Sequence, residues 1–363
     1  MSWLLAFLGF AVLIILHELG HFTAAKAVGM RVERFSLFFP PLLGRVRRGE
    51  TEYAIGAIPL GGYVKITGMN PAEEIPPEVA DRAYFRQPVW KRIVVIGAGP
   101  TVNIVLALLL LTAYLLIWGK PTDPVATNEV EALTKGGAAA SVLQLGDRVV
   151  AVDGKRGDPE ALKRQVATHT CAGEQTDGCR ATEPAQVTIV RDGRERTVTI
   201  TPRYSAKDER PLLGFSYGVE RTFEPVGGVG EAVTTSADQL WFFTRTTVET
   251  IAGIFDSEKR EQISGVVGSY ETTRQAIELS ADRAVFLLAV ISLSLGVINL
   301  FPFLPLDGGH IFWAVAEKVR GRAIPFSVME RAGFIGFALV IGLFFIGLTN
   351  DIGRLTGEGF GVR

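Results

Sequence analysis

Four long apolar runs punctuate the chain, and between them polar and apolar positions alternate over shorter stretches. From Trp3 to Ala25 there is no Lys or Arg, and His17, Glu18 and His21 are the ionisable residues in a run long enough to cross a hydrocarbon core of about 30 Å. A second run extends from Ile93 to Trp118, bounded by Lys91 and Arg92 before it and Lys120 after it, with Trp118 suited to an interfacial position. A third begins after Arg283 and continues through Leu300 into an irregular segment, Phe301 to Gly309, and the fourth covers roughly Ala332 to Thr349. The pattern predicts a multi-span α-helical membrane protein with four transmembrane helices and both termini on one side. The first basic residue, Lys26, follows the first run, so the run reads as a retained span and not as a cleaved secretory signal.

Loop charge sets the expected orientation. Arg31, Arg34, Arg45, Arg47, Arg48, Lys65, Arg82, Arg86, Lys91 and Arg92 lie between the first two spans, and Lys318, Arg320, Arg322 and Arg331 between the last two. The positive-inside rule makes both loops cytoplasmic and places both termini and the long segment from Lys120 to Asp282 outside the cytosol.

The shorter periods predict two β-containing pieces. Between Arg31 and Ile66, alternating stretches such as Glu52 to Ile55 and Tyr63 to Ile66, with turn formers Pro40, Pro41, Gly44, Gly61 and Gly62, read as short antiparallel strands on the cytoplasmic side. The cluster Phe35, Leu37, Phe38, Phe39, Leu42 and Leu43 suits a piece that dips into the membrane face, or a small sheet packed on a helix. In the central segment, Val187 to Val190 and Thr197 to Ile200 alternate across a turn at Asp192-Gly193, after a helical stretch from Pro159 to Ala167. Gly230 to Phe255 reads as an amphipathic helix, with Leu240, Trp241, Phe242 and Phe243 on its apolar patch.

Composition narrows the chemistry. The chain is 363 residues long, 48% apolar and 21% charged, with a positive mean hydropathy that argues against a single soluble globule. A formal net charge of −1 supplies no basic field for nucleic acid. Two cysteines, Cys171 and Cys179, in an insertion from Thr168 to Ala185, allow one local disulfide or two free thiols and no four-thiolate metal site. His169 beside them reads as a solvent-facing polar residue. Any metal must therefore use His and carboxylate.

His17-Glu18-Leu19-Gly20-His21 is an H-E-x-x-H pattern on a predicted helix. Residues four apart lie about 40° apart around the axis, so both imidazoles face one way and can bind one zinc, with Glu18 placed to take a proton from water. A carboxylate near mid-bilayer costs on the order of 3 kcal/mol, and a polar cluster there marks a functional site by default. A catalytic zinc usually has three protein ligands. Asp307 is the acidic residue in the second half of the third span, 24 residues after Arg283, and both inward-running spans bring their polar residues near the cytoplasmic side. Pro302, Pro305, Gly308 and Gly309 break the helix there, as irregular backbone at membrane depth does where it lines a cavity.

These motifs resemble the site-2 protease family of intramembrane zinc metalloproteases, in particular its bacterial RseP-type members. The resemblance rests on His17 to His21, Gly61 to Lys65, Gly99 to Asn103, Asn299 to Gly309 and Asn350 to Leu355, and on a central segment similar to a PDZ domain. It implies that His17, His21 and Asp307 bind zinc and that Glu18 is catalytic. Asn299 and Asn103 would contact substrate, and a β-loop containing Gly61, Gly62 and Tyr63 would pair with substrate backbone. It further implies single-span membrane protein substrates already trimmed by a site-1 type protease, such as anti-sigma factors or signal-peptide remnants. The PDZ domain would take a peptide or chain terminus, and the setting would be a bacterial cytoplasmic membrane. The chain departs from the pattern in having length for one PDZ domain where the Proteobacterial members have two. It also lacks the usual proline in Ser264 to Gly268.

The expected division is a first span in residues 1–30, a β-loop region in 31–92, a second span in 93–119 and a PDZ domain in 120–222. An amphipathic region follows in 223–282, then the third span in 283–316, a loop in 317–331, the fourth span in 332–350 and a tail in 351–363. Two rivals accompany this reading. One is a zinc peptidase with a glutamate third ligand, for which Glu317 and Glu330 are poorly placed. The other is a catalytically silent scaffold that binds membrane proteins through its PDZ domain. His310 reads as a helix-face residue and not as a fourth ligand.

Overall fold

The computed structural model describes every residue except 71–72, 135, 257–259, 262 and 358–363. The chain folds as two units, Met1–Gly119 with Pro225–Val362, and Lys120–Glu224. In the first, four helices are long and apolar enough to cross a membrane: Ser2–Ala27 (α1), Val89–Ile117 (α2), Ala281–Asn299 and Ser327–Thr356. Their outward faces carry Leu5, Leu8, Val12, Leu109, Phe334 and Ile335, all exposed, as lipid-facing side chains would be. The fourth helix extends further than the apolar run alone predicts.

The chain from Val32–Arg48 (β1) to Thr51–Ile66 (β2) forms the expected small sheet, bent through Phe38–Leu42 and Gly56–Gly61. Its register sets Arg34–Leu37 between Gly62–Lys65 on one side and Glu52–Ile55 on the other, with Gly44–Arg48 paired along the far side of Thr51–Ile55. Gly62–Ile66 is therefore an outer segment. At the turn, Glu50 accepts from Arg82 Nη1 and Nη2 and from Lys26 Nζ, each at 2.8 Å, and these cations hold its carboxyl down at about 2. The turn is thus pinned to the end of α1 and to the short helical segment Pro77–Arg82.

The region after residue 225 contains Val229–Ala252 (α4) and Val266–Leu279 (α5), with Pro159–Val166 (α3) lying in the second unit. On α4, Leu240 and Phe243 pack on Ala107, Leu293 and Val297 while Trp241 and Phe242 stay exposed. The helix Ala281–Asn299 (α6) stops before Pro302 and Pro305, and a new helix, Asp307–Arg320 (α7), begins at Asp307. Gly308 and Gly309, expected in the irregular segment, are helical instead. A Cβ at Gly308 would overlap the Leu300 carbonyl, and one at Gly309 the Leu304 amide, so these glycines let the broken segment lie over the first turn of α7.

Helix α8, Phe326–Thr356, ends in a clasp. Asp351, fully buried, accepts from the amides of Gly265 (3.1 Å) and Gly268 (2.7 Å) and from Ser264 Oγ (3.2 Å), capping α5. Asn350 donates to the carbonyls of Arg260 and Ile263, and Arg354 to that of Glu261. The segment lacking the proline is thus shaped by side chains from α8.

The second unit is an antiparallel sheet with one helix. Val125–Leu133 (β3), Arg148–Val152 (β4), Ala185–Arg191 (β5), Arg194–Ile200 (β6) and Phe215–Glu220 (β7) order as β7-β3-β4-β5-β6, and Lys155–Arg156 adds to β4. The β5–β6 hairpin turns at Asp192 and Gly193, both with positive φ, as a two-residue primed turn requires. Alternation along β5 sends Ala185, Val187 and Ile189 into a core shared with Leu162 and Val166 of α3, Pro159–Val166, which Asp158 caps through the Ala161 amide. Cys171 and Cys179 are joined. His169 is not solvent-facing: its ring bonds the Asp153 carboxylate at 2.8 Å and the Glu183 carbonyl at 3.0 Å, which draws it in against the sheet. Lys120–Pro121 pairs with Phe223–Glu224, so the unit's two ends lie side by side.

Asp147 is 2% exposed and accepts two bonds from Arg191, at 2.6 and 2.7 Å, which with the Gln144 amide hold its carboxyl below the usual range. Asp147→Asn is expected to lower the stability of this unit by about 3 kcal/mol, read by hydrogen exchange at β4 and β5 in the full chain. Because the folded-state pKa is depressed, the wild-type advantage is full above the ordinary Asp value of about 3.9 and shrinks as pH falls below it.

Candidate metal centre

On α1, His17 and His21 stand one turn apart with ring centroids 4.9 Å from each other and Nε2 atoms 3.2 Å apart. Asp307, the first residue of α7, places Oδ2 3.3 Å from His17 Nε2 and 3.2 Å from His21 Nε2. Three ligands about 2.0–2.1 Å from a zinc ion at tetrahedral angles stand about 3.3 Å apart, so this triangle has the size of a zinc site. The histidine side chains are 9% exposed and that of Asp307 18%.

The donor chemistry agrees. His21 Nδ1 donates to the Val95 carbonyl at 2.9 Å, leaving the lone pair of a neutral ring on Nε2. Asp307 Oδ2 is buried with no hydrogen-bond partner among the described residues, despite its closeness to both rings, and so is His17 Nδ1. Close approach without hydrogen-bond angles is the arrangement of lone pairs aimed at one shared centre. Among the described residues these three form the cluster that could hold a metal ion.

Glycines let the surrounding elements come this close. A Cβ on Gly99 of α2 would overlap the His21 ring, and one on Gly20 would stand 2.7 Å from the Ala98 carbonyl, so α1 and α2 meet backbone to side chain. A Cβ on Gly62 would lie 2.8 Å from Glu18 Cγ and 2.9 Å from the Ser36 carbonyl. The outer segment of the small sheet therefore lies directly against Glu18.

The other expected site residues are spread around this core. Gly61 has a φ of +156° and its α-carbon faces the Phe39 ring, which stacks on Tyr63 at 6.1 Å. The Tyr63 hydroxyl accepts from Arg34. Asn103, one turn beyond Gly99, is fully buried, and its side-chain amide has no partner among the described residues. Asn299 folds back on its own helix, donating to the Leu295 carbonyl at 3.0 Å. Glu317, the poorly placed glutamate, bonds Arg92 instead of joining the histidines.

The profile described as peptidase family M50 matches residues 5–343. The chain is a member of peptidase family M50. Its similarity to named members extends over nearly the full length of both partners. It is 32% identical to the zinc metalloprotease Rip1 of Mycolicibacterium smegmatis, over 95% of each chain. Identity to the Rip1 proteins of Mycobacterium bovis BCG and Mycobacterium tuberculosis H37Rv is 31% and 30%, over 93% of this chain and 94% of theirs. As an M50 protein the chain is a zinc metalloprotease of the site-2 type, which leaves the silent-scaffold rival without support.

Two contributors to this cluster leave little or no mark in residue type. The Val95 carbonyl that orients His21 belongs to the backbone and leaves no trace in residue type. The contact made by Gly20 carried a faint signal, a glycine between two histidines on one helix. Gly99→Ala is expected to displace His21 and bring bound zinc well below the wild-type level of about one per chain. Gly97→Ala, whose new carbon would meet Ile311 at an ordinary 3.9 Å, is expected to retain it; metal analysis of the purified proteins checks both.

Proposed function

We propose that this protease cuts single-span membrane proteins within or near the bilayer, as a step of regulated intramembrane proteolysis. The observation that carries the reading is the contact between Glu18 and the outer strand at Gly62, beside a metal-sized triangle made by two histidines of the apolar helix α1 and by Asp307 of α7. A transmembrane helix hides its peptide bonds in its own hydrogen bonds and must be opened before water can attack. Gly62–Ile66 offers a strand edge on which an unwound stretch can be held extended next to the catalytic carboxylate.

In this mechanism His17, His21 and Asp307 hold zinc. The ion when bound polarises the scissile carbonyl and lowers the pKa of water. Glu18 takes the proton of the attacking water and delivers it to the leaving amine. The Val95 carbonyl keeps His21 in the tautomer that presents Nε2. Asn103 and Asn299 hold substrate where α2 and α6 approach the broken segment, and Gly61 and Tyr63 extend the pairing edge. By the loop-charge argument the active site lies near the cytoplasmic side of a bacterial inner membrane, with both termini and the Lys120–Glu224 unit outside the cytosol.

The Lys120–Glu224 unit acts as a PDZ domain. Its edge strand β7 borders a cavity of about 280 Å³ lined by Lys163 and Val166 of α3 and by Arg210, Leu212, Phe215 and Tyr217. An extended chain terminus added to β7 would bury apolar side chains there and set its carboxylate near cationic groups. Substrates trimmed outside the membrane by a first protease, such as anti-sigma factors or signal-peptide remnants, carry such termini. Leu212→Trp, which adds bulk to the cavity lining without entering the core, is expected to weaken binding of a terminal peptide about tenfold or more in fluorescence titration, with bound zinc unchanged.

The decisive experiment is cleavage of a model single-span substrate by purified protein in detergent, comparing wild type with Glu18→Gln. Zinc at about one per chain in both, with cleavage confined to wild type, is the expected result. Cleavage that survives Glu18→Gln would remove Glu18 from the mechanism.

A further inference from the structure

Arg92 sits in the first turn of α2 and is 4% exposed. By sequence it belongs to the basic residues flanking a span, yet its guanidinium forms a two-pronged pair with Glu317 of α7, Nη2 to Oε1 at 2.6 Å and Nη1 to Oε2 at 3.0 Å. The Tyr84 ring lies 6.0 Å from the guanidinium, and the Tyr84 amide is bonded to the Thr67 carbonyl at the end of the small sheet. A fork-to-fork Arg–carboxylate pair fixes direction as well as distance, which a lone ammonium does not.

Its position along both helices gives it leverage on the metal centre. On α2, Arg92 is three residues before Val95, which bonds His21, and seven before Gly99, which abuts the same ring. On α7, Glu317 is ten residues after Asp307, about 15 Å along the axis. The start of α7 has no side-chain cap, and its first turn is held by the backbone of the broken segment against Gly308 and Gly309, so the far end of the helix is where a second fixed point can set its direction. Between the two ends, Ile311 rests near Gly97.

We infer that the Arg92–Glu317 pair is a positioning device that sets the axial and rotational register of α7 on α2 and thereby brings Asp307 Oδ2 to the two histidines. The inference rests on the reading of His17, His21 and Asp307 as zinc ligands. It assigns no contact with substrate to either residue. Zinc affinity is the quantity the pair controls.

The test measures zinc affinity by chelator competition, and the visible spectrum of the cobalt-substituted protein, in the Glu18→Gln background so that no turnover intrudes. Arg92→Gln and Glu317→Gln are each expected to weaken zinc about tenfold or more and to change the cobalt band intensities. The double variant Arg92→Gln/Glu317→Gln should lose no more than the worse single variant, because both act through one pair. Leaving the buried Arg92 guanidinium without its partner can unfold a protein, so Arg92→Met/Glu317→Leu, which removes both charges, is carried alongside and is expected to fold with weakened zinc. Wild-type zinc affinity and cobalt spectrum in this folded apolar variant, or in the single variants with only the melting temperature lowered, would overturn the inference. His21→Ala separates the two levels: if it keeps zinc, the ligand reading fails, whereas if it loses zinc while the pair variants keep it, the positioning role alone fails.

Discussion

Everything in the helical unit answers to one constraint: three electron-pair donors must be held within about 3.3 Å of one another inside an apolar setting. Left to themselves they would turn away to find protons or water, because unpaired polar atoms in a low-dielectric interior are costly. The fold prevents this by crowding. Helix α1 supplies two donors at a spacing that its own backbone fixes. The third comes from a helix that starts where α6 has been broken, so that Asp307 enters end-on.

Helix α2 carries most of the supporting contacts on successive turns: Arg92, the Val95 carbonyl, Gly99 and Asn103. Arg92 meets Glu317 of α7, the Val95 carbonyl and Gly99 both meet His21 of α1, and the Asn103 carbonyl accepts from Ser292 of α6, while α1, α4, α6 and α7 all pack against this one helix. Small residues are the means by which neighbours come close enough. At Gly20, Gly62, Gly99, Gly308 and Gly309 a single added carbon would meet backbone or a site side chain at under 3 Å. Packing of this kind does not deform gradually, since interiors near crystal density have no spare volume to absorb a shift.

How much of this was legible in the sequence divides along a physical line. The spans, the H-E-x-x-H pair and Asp307 were readable because hydrophobic runs and buried ionisable residues are expensive and rarely accidental. The hairpin at Asp192-Gly193 was readable because few residues adopt positive φ in succession. Other features depend on what comes together from distant parts of the chain. Arg92 reads as a flanking charge until Glu317, 225 residues later, is brought to it, and His169 reads as a surface residue until Asp153 faces it. Gly308 and Gly309 read as helix breakers, and only the Leu300–Leu304 backbone lying over them explains why they open a helix. A carbonyl such as that of Val95 has no identity in the sequence at all.

The pairing of Lys120–Pro121 with Phe223–Glu224 sets how the second unit is joined into the chain. Neighbouring strands lie about 5 Å apart, so the whole Lys120–Glu224 unit enters and leaves through a doorway scarcely wider than a tight loop. To the helices on either side, a hundred-residue domain and a short turn impose nearly the same boundary condition. An insert of another length whose ends pair in this way would meet the helices through the same two strands.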